Sequence, residues 1–466
     1  MMNPCALAID IGASSGRHIV GWVEDGRLAT REVYRFPNGA AMRNGHLCWD
    51  IESLEGHVIA GLKAAHQQGY APASVGIDTW GVDFILLDGH GQRIGDAVAY
   101  RDQRTGGMDE RLERTLPFEA HYRISGIAKQ PYNTVYQMMA VLDEHPEYRH
   151  QAADFLFMPE YLSYVLTGRK AHEWTECTTS ALCDATRRTW SDTVLRAAGL
   201  PESWFRTPIV EPGTALGRFR PDIAAEVGFD AEVILPATHD TGSAYMAIPA
   251  KDDGAAFLSS GTWSLLGTEL PHPILTRSAQ DIGFTNEGGY AGTTRFLKNI
   301  MGMWMLQCIH RETGEAASFA EMARMAAASG YPAFVDAADQ RFLAPASMLD
   351  EVKAALREAS APEPQQLGDI LRAVTVGLAV CYRDAIREME RVVGKPFTSI
   401  NIVGGGSQNE VLNRLTADLT GLPVYAGPTE GTALGNLAAQ QISTGALHDL
   451  SSFRAMLSGM VDGQHD

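Results

Sequence analysis

The chain opens on a nearly unbroken apolar run, Ala6-Leu-Ala-Ile, that meets a lone acid at Asp10. A short run that is apolar at every position predicts a strand buried on both faces. Gly12-Ala-Ser-Ser-Gly16 interrupts it. Strand patterning resumes from Arg17 to Glu24 and again from Leu28 to Phe36, with Asp25-Gly26 between them as a hairpin turn. Ile51 to Gln67 changes to helical spacing. Ser74 to Asp78 and Val82 to Asp88 predict two more strands, followed by a Gly89-His-Gly91 turn. The opening is therefore three antiparallel strands, a helix and further strands. A dinucleotide-binding unit would alternate strand and helix from the start.

The middle of the chain, Met108 to Thr193, is mainly helical by periodicity. Glu232 to Ala237 is another apolar strand, and Thr238-His-Asp240-Thr-Gly242 follows it. The opening layout then repeats. Ala255 to Gly267 is again strand, tight glycine turn (Ser259-Ser-Gly-Thr262) and strand, echoing Ala6 to Val20 in layout but not in residue identity. This repeat predicts a domain boundary near Ser243, with domains at 1–243 and 244–466. The second half closes with a strand Ser399 to Val403, the turn Gly404-Gly-Gly406, a helix Asn409 to Thr420, a strand Pro423 to Ala426 and a small-residue helix Thr432 to Gln440. Ala361 to Gln366 is a polar loop without functional signal.

Length agrees with two domains, since 466 residues exceed what one core holds, about 250–300. Hydrophobic residues make up 45% and charged residues 20%, an ordinary globular balance. The net charge of −18 and the absence of basic runs argue against nucleic acid and anionic membrane as partners. A bound polyanion needs a local positive pocket. The six scattered cysteines form no C-x-x-C pair and are read as reduced thiols of a cytoplasmic protein. The N-terminal apolar run is cut by Asp10, unlike a signal peptide, and no stretch reaches 18 uncharged apolar residues. Nothing in the sequence distinguishes a monomer from a dimer.

The chemistry concentrates at glycine turns and strand ends. In Asp10-Ile-Gly-Ala-Ser-Ser-Gly-Arg17, glycines admit backbone N–H groups to a phosphate, Ser14 and Ser15 add hydroxyl donors, and Arg17 can pair with a phosphate oxygen. Asp10 can hold magnesium through water. The plainer alternative is a hairpin turn that needs glycine for positive φ. The second turn, Ser259 to Thr262, has the same chemistry, and one such turn in each half points to a nucleotide held by both. Gly404-Gly-Gly-Ser-Gln-Asn409 joins a strand to a helix, where a nucleotide can approach; Ser407 or Asn409 is also a helix cap. Asp240 is placed to take a proton from an attacking hydroxyl beside a metal, or else to cap the helix after it. A lone His239 is more often a structural histidine. Thr79-Trp-Gly-Val-Asp83 and Tyr100-Arg-Asp-Gln-Arg104 mix polar and aromatic groups as sugar sites do, although Trp80 by itself is more often core. No H-E-x-x-H or C-x-x-C pattern supports a zinc site, and no Ser/His pairing stands out to support a hydrolase triad.

The ordered set Asp10 to Arg17, Asp78 to Asp83, His239-Asp-Thr241, Ser260-Gly-Thr-Trp263 and Gly404 to Asn409 resembles the FGGY carbohydrate kinases of the actin/hexokinase/Hsp70-like superfamily. Arg35-Phe-Pro-Asn38, Tyr100 to Thr105, Tyr132-Asn-Thr-Val-Tyr-Gln137, Thr285-Asn-Glu-Gly-Gly289, Leu297-Lys-Asn-Ile-Met-Gly302 and Ala426-Gly-Pro428 resemble the branch that acts on L-rhamnulose. The matches run from Ala6 to about Gln440. The resemblance implies an α/β fold of two ribonuclease-H-like domains with an interdomain cleft. It implies ATP and magnesium, with Ala13, Ser14, Ser15, Gly16, Arg17, Thr262, Gln307 and Gly405 on the nucleotide and Asp10 and Asp240 on the metal. Gly81, Asp83, His239, Asp240, Thr241 and Asn299 would face the sugar, with Asp240 as the base. Two departures stand out. Asn133 to Gln137 lacks the Lys and Trp of the broader family, which fits this branch, and the sequence stops soon after Leu457.

Overall fold

Ala6–Ile11 is a strand buried at all six positions, as its unbroken apolar pattern predicts. In the computed structural model, which describes residues 5–24, 26–250, 252, 254–343 and 345–462 (side chains through 457), it is the fourth strand of a six-stranded sheet. The order is Thr214–Arg218, Glu232–Leu235, Ser74–Thr79, Ala6–Ile11, Ser15–Glu24, Arg27–Pro37. Ala6–Ile11 runs antiparallel to Ser15–Glu24 and parallel to Ser74–Thr79, which in turn runs parallel to Glu232–Leu235. Asp25 lies outside the described residues. Gly26, the other half of the predicted turn, has φ 72°.

The helix Ile51–Gln67 forms where its spacing predicts and is started by Asp50, whose side chain accepts from the Ser53 amide. Its apolar stripe (Leu54, Val58, Leu62, Ala65) packs with Leu7, Ile9 and Val75 of the sheet. Three readings are corrected. Val82 to Asp88 shortens to Phe84–Leu87, and that strand leaves the main sheet to pair with Asp154–Phe157 from the supposedly helical middle. A hairpin of Ala40–Arg43 and His46–Trp49 was missed, because its first arm, Ala-Ala-Met-Arg, is exposed and does not alternate apolar with polar residues. The Asp10 to Arg17 turn contains no residue at positive φ. Gly16 is required there by packing, because a Cβ would overlap the Phe36 ring.

Contacts divide the chain into two units: Met1–Ala247, Glu269–Phe296 and Thr432–Asp466 form one, and Ile248–Thr268 with Leu297–Gly431 form the other. This partition differs from a single cut after Ser243. Its physical cause is visible on the C-terminal helix Gly431–Ser443. Gln440 donates to the Leu7 carbonyl (3.0 Å) and accepts from Ser74 Oγ (2.8 Å), and Asn436 donates to the Gly76 carbonyl (3.1 Å). In the second unit Ala255–Ser260 is antiparallel to Trp263–Leu270 and parallel to Ser399–Val403, which is parallel to Val424–Ala426. Each unit thus contains a hairpin whose first strand is flanked by a parallel strand, which is the repeated layout read from the sequence. No helix among the described residues is long and apolar enough to cross a membrane.

Candidate active site

Parallel pairing sets Asp10 directly beside Asp78, and a parallel bridge sets Thr79 beside His239, with the Thr79 amide donating to the Thr238 carbonyl (3.0 Å). Three carboxylates, Asp10, Asp78 and Asp240, therefore gather at the carboxyl ends of adjacent parallel strands, where open α/β sheets bind ligands. They differ in access. Asp78 is wholly buried and Asp10 nearly so, while the Asp240 side chain is 29% exposed. Asp240 Oδ1 accepts from the Thr241 amide (2.6 Å) and hydroxyl (3.1 Å). Asp240 is the first residue of the helix Asp240–Met246, and the cap position belongs to His239. Burial pushes the Asp240 carboxyl above its ordinary value, with His239 opposing and Asp10 adding to the rise. Burial and the Asp10 charge also drive Asp78 well up, against the Asn436 amide at 2.5 Å. Arg17 lies opposite Asp10 in the hairpin and places Nε (2.9 Å) and Nη2 (2.8 Å) on its Oδ2.

This donor set fits magnesium. The ion takes carboxylate oxygens, and converging carboxylates raise one another's proton affinity unless a cation sits among them. The turn from Gly12 to Gly16 is firmly built. The Gly12 amide donates to the Ser15 carbonyl (2.9 Å), the Asn38 amide to the Ser14 carbonyl (3.0 Å), and Asn38 Nδ2 to the Gly12 carbonyl (2.8 Å). Ala13 and Ser15 are half-buried and Ser14 is exposed.

Among the sugar-site candidates, a Cβ on Gly81 would come within 3.1 Å of Thr179 and 3.3 Å of the His239 ring, so the backbone passes tightly beside that histidine. Val82, next to it, has φ 71°, a strained conformation for a β-branched residue. Its amide donates to Glu176 Oε1 (3.1 Å) and Thr179 Oγ1 (3.2 Å), and its carbonyl accepts from Thr134 Oγ1 (2.7 Å) and Gln137 Nε2 (3.2 Å). Asp83 is not an open sugar ligand. Its Oδ2 accepts from Trp49 Nε1 (2.6 Å), Trp80 Nε1 (2.9 Å) and the Tyr100 amide (3.1 Å), and its Oδ1 from Gln137 Nε2 (3.2 Å). It braces the Trp49–Trp80 pair, whose rings are tilted by 35° with centroids 4.1 Å apart.

Four acids and bases around His239 have no role in the sequence reading. Buried Glu173 accepts from Thr175 and from the Thr238 amide (2.9 Å) and hydroxyl (2.7 Å), which fixes the loop before Asp240. Glu176 holds Val82. Glu287 and Arg295 flank the His239 ring. Only Glu287 belongs to one of the sequence motifs, and nothing in its sequence neighbourhood points to His239. Glu160, His172 and Cys177 also come within 4.8 Å of one another. Glu160 already accepts from the Phe157 amide (2.9 Å), the Glu173 amide (2.7 Å) and His172 Nδ1 (2.8 Å), so the cluster is a structural brace.

The second unit collects the other nucleotide candidates. The Met303 amide donates to the Gly261 carbonyl (3.0 Å) and the Trp304 amide to the Thr262 carbonyl (3.1 Å), seating the helix Trp304–Glu312 on the turn. Thr262 Oγ1 then lies 3.4 Å from Gln307 Oε1. Gly404 has φ 88°, and a Cβ there would stand 2.7 Å from the Ser260 carbonyl; one on Gly406 would overlap Ser260 Oγ. At Gly405 the same space is open. Asn409 caps the following helix, accepting from the Leu412 amide. Asn299 is half-buried on the strand Thr294–Met301, after Lys298, which pairs with Glu388 at 2.7 Å.

Residues 5–247 match the N-terminal domain, and residues 256–444 the C-terminal domain, of the FGGY family of carbohydrate kinases. The chain is 42% identical over 461 residues to a rhamnulokinase of Oceanobacillus iheyensis, covering 99% of this chain and 98% of that one. It is 42% identical to a rhamnulokinase of Halalkalibacterium halodurans, covering 98% and 97%. Among solved structures, a gluconate kinase from Lactobacillus acidophilus is similar with a TM-score of 0.78 at 16% identity, covering 97% and 91%. A Plasmodium falciparum glycerol kinase with ADP gives 0.76 at 14%, covering 97% and 92%. The fold is thus that of two-domain sugar kinases, and with both family domains matched in order this chain belongs to the FGGY family of carbohydrate kinases.

Proposed function

We propose that this chain transfers the γ-phosphoryl group of ATP to the 1-hydroxyl of L-rhamnulose, giving L-rhamnulose 1-phosphate and ADP in the catabolism of L-rhamnose. The observation that carries the reading is Asp240: of three clustered carboxylates it alone is substantially open, and its Oδ1 is held by Thr241. Full-length similarity to rhamnulokinases supplies the choice of sugar.

In this reading Asp240 accepts the proton of the attacking hydroxyl as the oxygen approaches phosphorus in line. His239, Thr241 and the tight backbone at Gly81 orient the sugar, with Asn299 as a further contact. Asp83 braces the Trp49 and Trp80 indoles next to Gly81. Backbone and hydroxyl donors of Ala13, Ser14, Ser15 and Gly16 hold phosphate, with Arg17 anchored by Asp10. Thr262, Gln307 and Gly405 receive the nucleotide. Asp10 and Asp240 would hold a magnesium ion, which offsets negative charge on the ATP phosphates. A cytoplasmic setting accords with six free cysteines among the described residues, five of them buried.

The test is a coupled ADP-release assay over L-rhamnulose, L-fuculose, L-ribulose, D-xylulose and glycerol. L-rhamnulose should give the highest kcat/KM. A higher value for any other sugar overturns the substrate, and ATP loss without sugar overturns the kinase reading.

A further inference from the structure

Arg295 is wholly buried, and its guanidinium makes two hydrogen bonds and one ion pair. Nε donates to the Gly288 carbonyl (2.8 Å), and Nη2 meets both Glu287 Oε2 (3.1 Å) and His239 Nδ1 (3.1 Å). The guanidinium carbon lies 5.7 Å from the centre of the Tyr245 ring. Glu287 Oε2 is also 3.3 Å from His239 Nδ1.

A guanidinium donates and has no lone pair to offer. A hydrogen bond from Arg295 Nη2 therefore makes Nδ1 the acceptor, which leaves the proton of a neutral imidazole on Nε2. Nε2 lies 3.5 Å from Asp240 Oδ1, too long for a good hydrogen bond, and that oxygen already takes both Thr241 donors. The Nε2 proton is thus available to an oxygen seated beside Asp240. Glu287 compensates the buried guanidinium and holds it against the ring.

We infer that Arg295 and Glu287 are positioning residues that fix His239 as the Nε2–H tautomer, so that His239 donates to the sugar while Asp240 accepts its proton. This rests on the kinase reading above. It also accounts for the Thr285-Asn-Glu-Gly-Gly289 motif, because the strand Thr285–Gly288 delivers both the carboxylate and the carbonyl that aim Arg295.

Two measurements test it. The first uses the unaltered chain with 15N-labelled histidine, the His239 signals being those lost in His239→Asn. Protonated Nε2 and bare Nδ1 are expected, and a proton on Nδ1 overturns the inference whatever the substrate proves to be. The second compares Glu287→Met with Arg295→Met combined, which removes both buried charges at similar volume and avoids stranding either one. The folded double variant should lose at least tenfold in kcat/KM for L-rhamnulose, with KM for ATP within twofold. Unchanged sugar kinetics overturn the inference, and Arg295→Lys, which keeps the charge but loses the fork, should fall in the same direction. Failure of the unaltered chain to phosphorylate L-rhamnulose would count against the proposed function alone, because the tautomer is read independently.

Discussion

Asp83 makes the stability of this protein depend on pH in a direction opposite to the usual carboxylate. It is 1% exposed, and burial pushes its carboxyl from 3.8 to about 6 despite four donors. The folded chain therefore binds this proton more tightly than the unfolded chain. Stability falls as pH rises through the window from 3.8 to about 6, and the full cost is present above it. A rise from 3.8 to about 6, at about 1.4 kcal/mol per pH unit, amounts to about 3 kcal/mol, of which about 2 kcal/mol develops between pH 4.5 and 7.5. Asp83→Asn removes the titration. Its amide will mismatch one donor, since Trp49, Trp80 and the Tyr100 amide all point at Oδ2 and Gln137 at Oδ1, but that penalty is the same at every pH. Urea unfolding of both proteins across this range isolates the carboxylate. The variant should gain about 2 kcal/mol relative to the parent from pH 4.5 to 7.5. A difference between the two that stays flat with pH, or shrinks as pH rises, refutes the reasoning.

Asp240→Asn should retain ATP binding by calorimetry and lose about a thousandfold in kcat, within the range of general-base catalysis; turnover within tenfold of the parent would remove Asp240 as the base. Gly405→Ala adds its Cβ to open space, so its melting temperature should match the parent while KM for ATP rises; an unchanged KM would take Gly405 out of the nucleotide site. Gly406→Ala, whose Cβ would overlap Ser260 Oγ, should instead lose stability as well, by about 1–3 kcal/mol in urea unfolding. Gly435→Ala would drive a Cβ into the Ser243 carbonyl, backbone against backbone, and should destabilise the first unit by about 3 kcal/mol; a wild-type urea midpoint would show that the C-terminal helix can shift away.

The sequence by itself determined the elements whose signal is local. An unbroken apolar run gave Ala6–Ile11, helical spacing gave Ile51–Gln67, and the second hairpin appeared where its layout repeats the first. The place of Asp240 just past a strand end was legible too, because the apolar run before it lies next to it in the sequence. Tertiary structure decided what depends on partners distant in the chain. Gly16 looked like a conformational requirement and is a packing one, set by Phe36 across the hairpin. Asp83 looked like a sugar ligand, until Trp49 and Gln137, 34 and 54 residues away, took up its lone pairs. The C-terminal helix joined the first unit through Asn436 and Gln440, more than 350 residues from the strands they bond. His239 acquired its tautomer from Arg295, 56 positions on. Periodicity and turn chemistry are written in adjacent residues, whereas burial, proton affinity and the direction of a hydrogen bond belong to whichever groups the fold brings within a few ångströms.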